Sequence, residues 1–206
     1  MARHVVLFGD SIFDNAAYIG GGPDVAAHLR ELLDRDDRVT LLAVDGSICE
    51  QVDRQLEQIP ADATHAILSS GGNDILHHAV LLEQQTTSVA ASMALLMQAR
   101  AEFEPLHRSL VERAARLPVP LAVCMIYDAN MGPLIATAMG IFNDAITRNV
   151  HREAVDLIDL RLVCDEASDY ANPIEPSVAG GAKIATAIAK YVRAVDARAA
   201  NSRVFA

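Results

Sequence analysis

Aromatic residues are scarce in this chain, and tryptophan is absent. Only 4% of the 206 residues are aromatic, although 51% are hydrophobic. A chain of this length can bury a substantial core, which here has to be built from alanine, valine, isoleucine and leucine. The length, together with the lack of an internal repeat or linker, predicts one domain rather than two.

Cysteine is also rare, which excludes two kinds of scaffold. Cys49, Cys124 and Cys164 are far apart, and none belongs to a CxxC pair. Neither a disulfide framework nor a zinc site is therefore indicated. We expect three reduced cysteines in the core and no bound metal.

Basic residues and long apolar runs are lacking as well. The formal net charge is −10 and no basic cluster occurs, which argues against a nucleic-acid partner. The apolar stretches are too short or too interrupted to span a membrane. The first predicted strand begins at about residue 4 and leaves no room for a leader segment. These features predict a cytoplasmic protein that does not contact a membrane.

Short β-rich runs alternate with helical patterns along the chain. Five strands are predicted, at Val5–Phe8, Val39–Val44, Ala66–Leu68, Leu121–Ile126 and Leu157–Leu160. The intervening segments have helical spacing of apolar residues. The longest predicted helix covers about 86–116, and Pro105 either interrupts it or is accommodated within it. Strands separated by helices imply a parallel sheet that is covered on both faces. We predict one α/β domain over residues 1–196 and a frayed tail over 197–206.

The most informative motif is the sequence GDSIFDN at residues 9–15, directly after the first strand. A strand that ends in glycine and serine leads into a tight turn, at the sheet edge where open α/β folds place their chemistry. Ser11 is then either a nucleophile or a helix cap. Asp10 is expected to brace the turn through backbone hydrogen bonds, and Asp14 and Asn15 to cap the next segment.

Two later segments favour the nucleophile. Gly46 follows the second strand, and Asn73, behind two glycines, follows the third. Either residue alone is more often a simple turn residue. Together with the Ser11 backbone, the Gly46 N–H and the Asn73 amide could supply three donors to a developing oxyanion, which an acyl-transfer site requires.

These blocks resemble those of the SGNH hydrolases, also called the GDSL lipase/esterase family. Residues 9–11 match its first block, Gly46 matches the glycine of the second, and Gly71-Gly72-Asn73-Asp74 matches the third. The resemblance implies a flavodoxin-like three-layer α/β/α sandwich with a five-stranded parallel sheet. It implies cleavage of small acyl or acetyl esters without a metal or organic cofactor. Asp10, Gly72 and Asp74 are candidate substrate-binding residues, in addition to the candidate catalytic residues Ser11, Gly46 and Asn73.

The fourth block departs from that family pattern. The family has Asp-x-x-His before its last helix, whereas this chain has Asn172 and Glu175 at those two positions. An ordinary carboxylate is a weak base at neutral pH, but burial can raise the pKa of a carboxyl by several units. Glu175 could then accept the Ser11 proton directly, with Asn172 orienting the carboxylate through an amide hydrogen bond.

Several alternatives to this Ser–Glu arrangement stay open. The site could have lost its base and bind a small ligand without turnover, or it could transfer the acyl group to an alcohol. His77 or His78 could reach over the serine, and Asp169 or Tyr170 could be a displaced acid. The segments 75–87 and 127–134 are candidate walls of an acyl pocket. The predicted partner in every case is a small ester or a related small molecule.

Overall fold

The computed structural model describes residues 2–196 and the backbone of residues 204–205. The predicted α/β fold with its parallel sheet is confirmed. The strands are β1 His4–Phe8, β2 Arg38–Leu41, β3 His65–Leu68, β4 Leu121–Met125, β5 Asp156–Asp159 and β6 Val204–Phe205. The helices are α1 Val25–Leu32, α2 Cys49–Gln55, α3 Gly72–Leu76, α4 Val89–Ala114, α5 Pro133–Arg152 and α6 Val178–Val195.

All neighbouring strands run parallel, in the order β2-β1-β3-β4-β5-β6. The five predicted strands are present with small shifts of their ends. The short β6 was not predicted, and it places Val204–Phe205 beside β5 where a frayed tail was expected. The other residues of that predicted tail lie outside the described residues.

Alternate residues of β1 enter two separate cores. Val5 and Leu7 pack under α1 and α6, whereas Val6 and Phe8 pack under α2, α4 and α5. Both faces of the sheet are therefore covered, which explains why its central strands are continuous apolar runs. The three layers leave the carboxyl edge of the sheet open for the loops that follow β1, β2 and β3.

Helix α4 continues through Pro105 without a break. Proline removes one backbone hydrogen bond, here the one to the carbonyl of Ala101. Both residues lie on the exposed side of the helix, so water can solvate that carbonyl. Phe103 and His107 on the opposite side are buried, and their packing holds the helix together across the proline.

Candidate active site

Ser11 lies in a tight turn at the carboxyl end of β1. The carbonyl of Asp10 accepts hydrogen bonds from the backbone N–H groups of Phe13 and Asp14, at 3.1 and 3.0 Å. The Asp10 carboxyl accepts another from the N–H of Ile12 at 3.1 Å. The expected brace at Asp10 is thus observed, and it holds Ser11 in a position where only 7% of its surface is exposed.

The residue before this turn, Gly9, has to be a glycine. Its φ is +148°, and a Cβ at this position would lie 2.2 Å from the carbonyl oxygen of Ser69. The side chain of Gln55 from α2 contacts both backbone groups of Gly9, accepting from its N–H at 2.8 Å and donating to its carbonyl at 2.9 Å. Sequence reasoning missed Gln55, because nothing local pairs residues that lie 46 positions apart.

A cavity of about 110 Å³ opens beside Ser11. Its acidic and polar end is formed by Asp10, Ser11, Asn73 and Glu175, and Gly72 also lines it. The rest of the lining is almost wholly apolar, and it includes Leu76, Leu82, Ile126, Tyr127, Met131, Met139 and Phe142. The predicted walls in segments 75–87 and 127–134 therefore both contribute. The contribution of α5 was not predicted.

Glu175 and Ser11 meet at the floor of this cavity. Both side chains line this floor, and the Ser11 hydroxyl lies near enough to the Glu175 carboxyl to act on it as a donor that lowers its pKa. Glu175 is only 5% exposed, and its Oε2 atom has no hydrogen-bond partner within residues 2–196. Burial raises the pKa of Glu175, the negative charge of Asp45 adds to that effect, and the Ser11 hydroxyl opposes it. A carboxyl with a raised pKa is a better proton acceptor near neutral pH.

The backbone that carries Glu175 is held at every carbonyl from residue 173 to residue 176. Three of the four donors come from distant parts of the chain: Asn130 N to Pro173 at 2.8 Å, Tyr127 Oη to Ile174 at 2.6 Å and Asn15 Nδ2 to Pro176 at 3.1 Å. The fourth, Ala171 N, donates to the carbonyl of Glu175 at 2.8 Å. A loop with each carbonyl bound in this way has little freedom to move, so Glu175 is presented to Ser11 by a preorganised segment.

Asn172 plays a different part from the one expected. Its side-chain oxygen accepts hydrogen bonds from the N–H groups of Ile174 and Glu175, at 2.9 and 2.8 Å. Among the described residues no hydrogen bond runs from its amide to the Glu175 carboxylate. The expected orientation of the carboxylate by Asn172 is therefore wrong. This residue shapes the turn instead, because only its acceptor oxygen can bind two backbone donors.

The second carboxyl at the cavity is that of Asp10, which is only 2% exposed. Burial raises its pKa to about 7, the hydrogen bond from Ile12 lowers it, and the negative charges of Glu175 and Asp74 raise it further. Asp74 itself lies outside the cavity lining. Its carboxyl accepts from the backbone N–H of Cys49 at 3.0 Å, so it fixes the start of α2, and its role in binding substrate stays a prediction.

The three expected oxyanion donors are placed differently. The N–H groups of Ser11 and Gly46 have no hydrogen-bond partner in the described part of the chain. Asn73 lines the cavity and uses one amide hydrogen on the carbonyl of Ser47 at 3.0 Å, which leaves its other hydrogen available. Gly46 lies on an exposed turn outside the cavity lining, held by a bond from Asp45 N to the Asp14 carboxyl at 3.0 Å. Its role as a donor stays a prediction.

The alternative acids and bases are mostly remote. Asp169 is fully buried and pairs with Lys183 at 2.8 Å, and the hydroxyl of Tyr170 donates to the carbonyl of Cys164 at 2.8 Å. Neither lines the cavity, so neither is a displaced acid. His77 is exposed and points to no described partner in the site, whereas His78 lines the cavity and stacks on the ring of Phe142.

No group of three or more histidine, cysteine or acidic side chains within residues 2–196 is arranged to hold a metal ion. No helix in the same range has the length and apolar character needed to cross a membrane.

Comparison with known proteins agrees with this geometry. The model of the GDSL-like lipase/acylhydrolase family matches residues 7–183, and no curated protein matches the chain. An extracellular lipase from Streptomyces rimosus superposes with a TM-score of 0.67 at 14% identity, covering 96% of this chain and 100% of that one. An acetylxylan esterase from Geobacillus stearothermophilus gives 0.65 at 16% identity, covering 92% and 94%. A phospholipase A1 from Streptomyces albidoflavus gives 0.61 at 15% identity, covering 97% and 100%.

Proposed function

The chain belongs to the GDSL-like lipase/acylhydrolase family, and on this premise we propose that it is a serine esterase in which a glutamate replaces the family's histidine. Ser11 is the nucleophile and Glu175 is the base. The observation that carries the proposal is that the Ser11 hydroxyl and the buried Glu175 carboxyl line the floor of the same cavity, with the hydroxyl acting as a donor toward the carboxyl. The fixed backbone of residues 173–176 supports it, because a base is most effective when its position is preorganised.

The reaction divides into two half-reactions of the same kind, each with one proton transfer to Glu175 and one from it. The Ser11 oxygen attacks the ester carbonyl carbon while its proton passes to the Glu175 carboxylate. The ester C–O bond then breaks, and the departing alkoxide takes the proton from Glu175. Water next attacks the acyl-enzyme, gives its proton to Glu175 and releases the acid, with the proton returning to the Ser11 oxygen.

The oxyanion formed in each step needs hydrogen-bond donors that already point at it. The N–H of Ser11 and the free amide hydrogen of Asn73 border the cavity where that oxygen would form. Gly46 would add a third donor from the rim. We expect the Ser11 N–H to contribute most directly, because it belongs to the attacking residue.

The apolar lining of the cavity favours the binding of a longer acyl chain over that of an acetyl group. Its walls are formed by side chains such as Ile126, Met139 and Phe142, and the partly exposed Leu76 and Met131 extend the apolar surface to the mouth. Each methylene that leaves water on this surface contributes about 0.8 kcal/mol to binding. Esters of butyric to octanoic acid are therefore expected to be better substrates than acetates.

The test is hydrolysis of a series of p-nitrophenyl esters, from acetate to octanoate, between about pH 5 and pH 9. Ser11→Ala is expected to fall to the background rate. Glu175→Gln is expected to lose roughly 10²- to 10⁴-fold in kcat, the usual worth of a positioned base. Glu83→Gln removes one carboxylate from an exposed position near the cavity and serves as the matched control. Equal rates for the wild type and Ser11→Ala would overturn the proposal.

A small-molecule binding protein without turnover is the competing function. The double variant Asn172→Asp/Glu175→His restores the usual pair of the family and separates the two. If the wild type is inactive and the double variant gains activity by orders of magnitude, the natural site is a binder. If the double variant loses an activity that the wild type has, the Ser–Glu arrangement is functional as it stands.

A further inference from the structure

The floor of the cavity carries two acidic side chains and no basic one. Asp10 and Glu175 are both more than nine-tenths buried and both line the cavity. No lysine or arginine is present among the described residues that line it. The Oε2 atom of Glu175 finds no hydrogen-bond donor anywhere within residues 2–196. The hydrogen-bonding capacity of this carboxyl is thus only partly used by the protein.

Two other buried carboxyls in the same molecule each have a cationic partner. Asp159 pairs with Arg161 at 2.6 Å, and Asp169 pairs with Lys183 at 2.8 Å. A buried carboxylate is costly unless a cation or several donors compensate it. Within residues 2–196 the Glu175 carboxyl has no ion pair with a lysine or arginine, and its Oε2 atom has no donor, so a ligand can supply the compensating cation.

We propose that this cavity binds apolar primary ammonium ions, with the Glu175 carboxylate as counter-ion and hydrogen-bond acceptor and the apolar walls holding the hydrocarbon chain. The ammonium group would donate to Glu175, and Asp10 would add a second negative charge at the same end. The chain would extend along Ile126, Met139 and Phe142. The overall charge of −10 favours the approach of a cation.

Charge selects among ligands of the same shape. A hydrogen bond to a charged group contributes about 1.5–3 kcal/mol, which corresponds to roughly 10- to 100-fold in affinity. An alcohol of equal length offers the same apolar chain without the charge, and a carboxylate of equal length brings a repelling charge. The expected order of affinity is therefore hexylammonium, then hexan-1-ol, then hexanoate.

This inference goes beyond the proposed esterase function and does not depend on turnover. An ammonium bound at Glu175 occupies the space of the acyl group, so hexylammonium is also expected to inhibit ester hydrolysis competitively. The binding measurement itself is made on Ser11→Ala as well as on the wild type. A protein without esterase activity that still binds hexylammonium would contradict the proposed function and leave this inference intact.

The experiment is calorimetric titration of the full chain with hexylammonium chloride, hexan-1-ol and sodium hexanoate at about pH 8, where an alkyl ammonium remains protonated. We expect hexylammonium to bind at least tenfold more tightly than hexan-1-ol. Glu175→Gln is expected to remove that preference, whereas the exposed Glu83→Gln retains it. Ala138→Phe, which narrows the apolar part of the cavity, is expected to weaken both hexylammonium and hexan-1-ol.

Each result of these titrations leads to a different conclusion about the proposed ammonium site. Equal affinity of the wild type for hexylammonium and hexan-1-ol, or no binding of either, would overturn the inference without the need for any variant. An unchanged preference in Glu175→Gln would overturn the assignment of the counter-ion. A preference of at least tenfold that disappears only in Glu175→Gln would support it. Thermal unfolding of each variant verifies that a loss of binding is not a loss of fold.

Discussion

Replacing Asp10 by asparagine is expected to stabilise this protein at alkaline pH. Asp10 is buried beside the nucleophile, and burial raises its pKa from 3.8 to about 7. The folded protein therefore holds a proton on this side chain between about pH 4 and pH 7 that the unfolded chain has already released. Stability falls with rising pH wherever the folded state binds more protons than the unfolded state.

The size of the effect follows from the two pKa values. Each pKa unit corresponds to about 1.4 kcal/mol, so a rise from 3.8 to about 7 destabilises the ionised wild type by up to about 4 kcal/mol. This contribution to stability is fully present below about pH 4 and is lost as the pH rises through about 7. Asparagine cannot ionise, and its side-chain oxygen can still accept from the N–H of Ile12. The advantage of Asp10→Asn over the wild type should therefore grow from acid to alkaline pH.

The assay is urea unfolding followed by far-ultraviolet circular dichroism between about pH 4 and pH 8, since the chain has no tryptophan. The quantity of interest is the difference in free energy of unfolding between Asp10→Asn and the wild type at each pH. Titrating groups that do not interact with Asp10, such as the buried His107, affect both proteins alike and cancel. Asp36→Asn, on the exposed surface, is the control for the loss of one formal charge.

A difference between Asp10→Asn and the wild type that stays constant from pH 4 to pH 8 would refute this reasoning. So would a difference that shrinks as the pH rises, because the raised pKa of Asp10 requires the opposite sign. Either result would mean that Asp10 is ionised at neutral pH at little cost, and that its neighbours compensate its charge.

Two further predictions concern the scaffold around the site. Gln55→Ala leaves the buried N–H and carbonyl of Gly9 without their partners. It should lower the free energy of unfolding, measured by urea titration, by about 2–4 kcal/mol. A change below about 0.5 kcal/mol would contradict the assigned role of Gln55 in holding Gly9. Gly180→Ala would place a Cβ 2.1 Å from the carbonyl oxygen of Asp169, so it should cost more than about 3 kcal/mol or prevent folding. Gly181→Ala meets its nearest atom at 3.4 Å and should be within about 1 kcal/mol of the wild type, as thermal unfolding of the two variants side by side will show.

In the proposed mechanism, the fourth block supplies a carboxylate as the base where the family pattern has an imidazole. In a Ser–His pair the imidazole needs an acceptor behind it, whereas a carboxylate that accepts a proton needs none. The turn made by Asn172 is consistent with this, because its side chain binds the backbone of Ile174 and Glu175 and leaves the carboxylate alone. The raised pKa of Glu175 arises mainly from burial, and the negative charge of Asp45 adds to it.

Local patterns were sufficient to predict much of this protein. The alternation of short apolar runs with helical spacing predicted which segments along the chain form strands. The glycine turns after β1 and β3 predicted the positions of Ser11 and Asn73. These features depend on a few consecutive residues, since a strand and its turn are determined by their own side chains and backbone angles. The position of the fourth block before the last helix likewise predicted that Glu175 lies near Ser11.

Only the tertiary structure decided which polar groups are paired and which are not. Backbone groups that lie 46 to 161 residues away in the chain are held by Gln55, Asn15 and Tyr127. No local sequence pattern predicts such bonds. The reversed role of Asn172, the burial of Asp10 and the apolar wall from α5 have the same origin. The burial of a group and its hydrogen bonds depend on which distant residues pack around it. At this site they determine the pKa values of Asp10 and Glu175, and they leave one oxygen of Glu175 without a partner among the described residues.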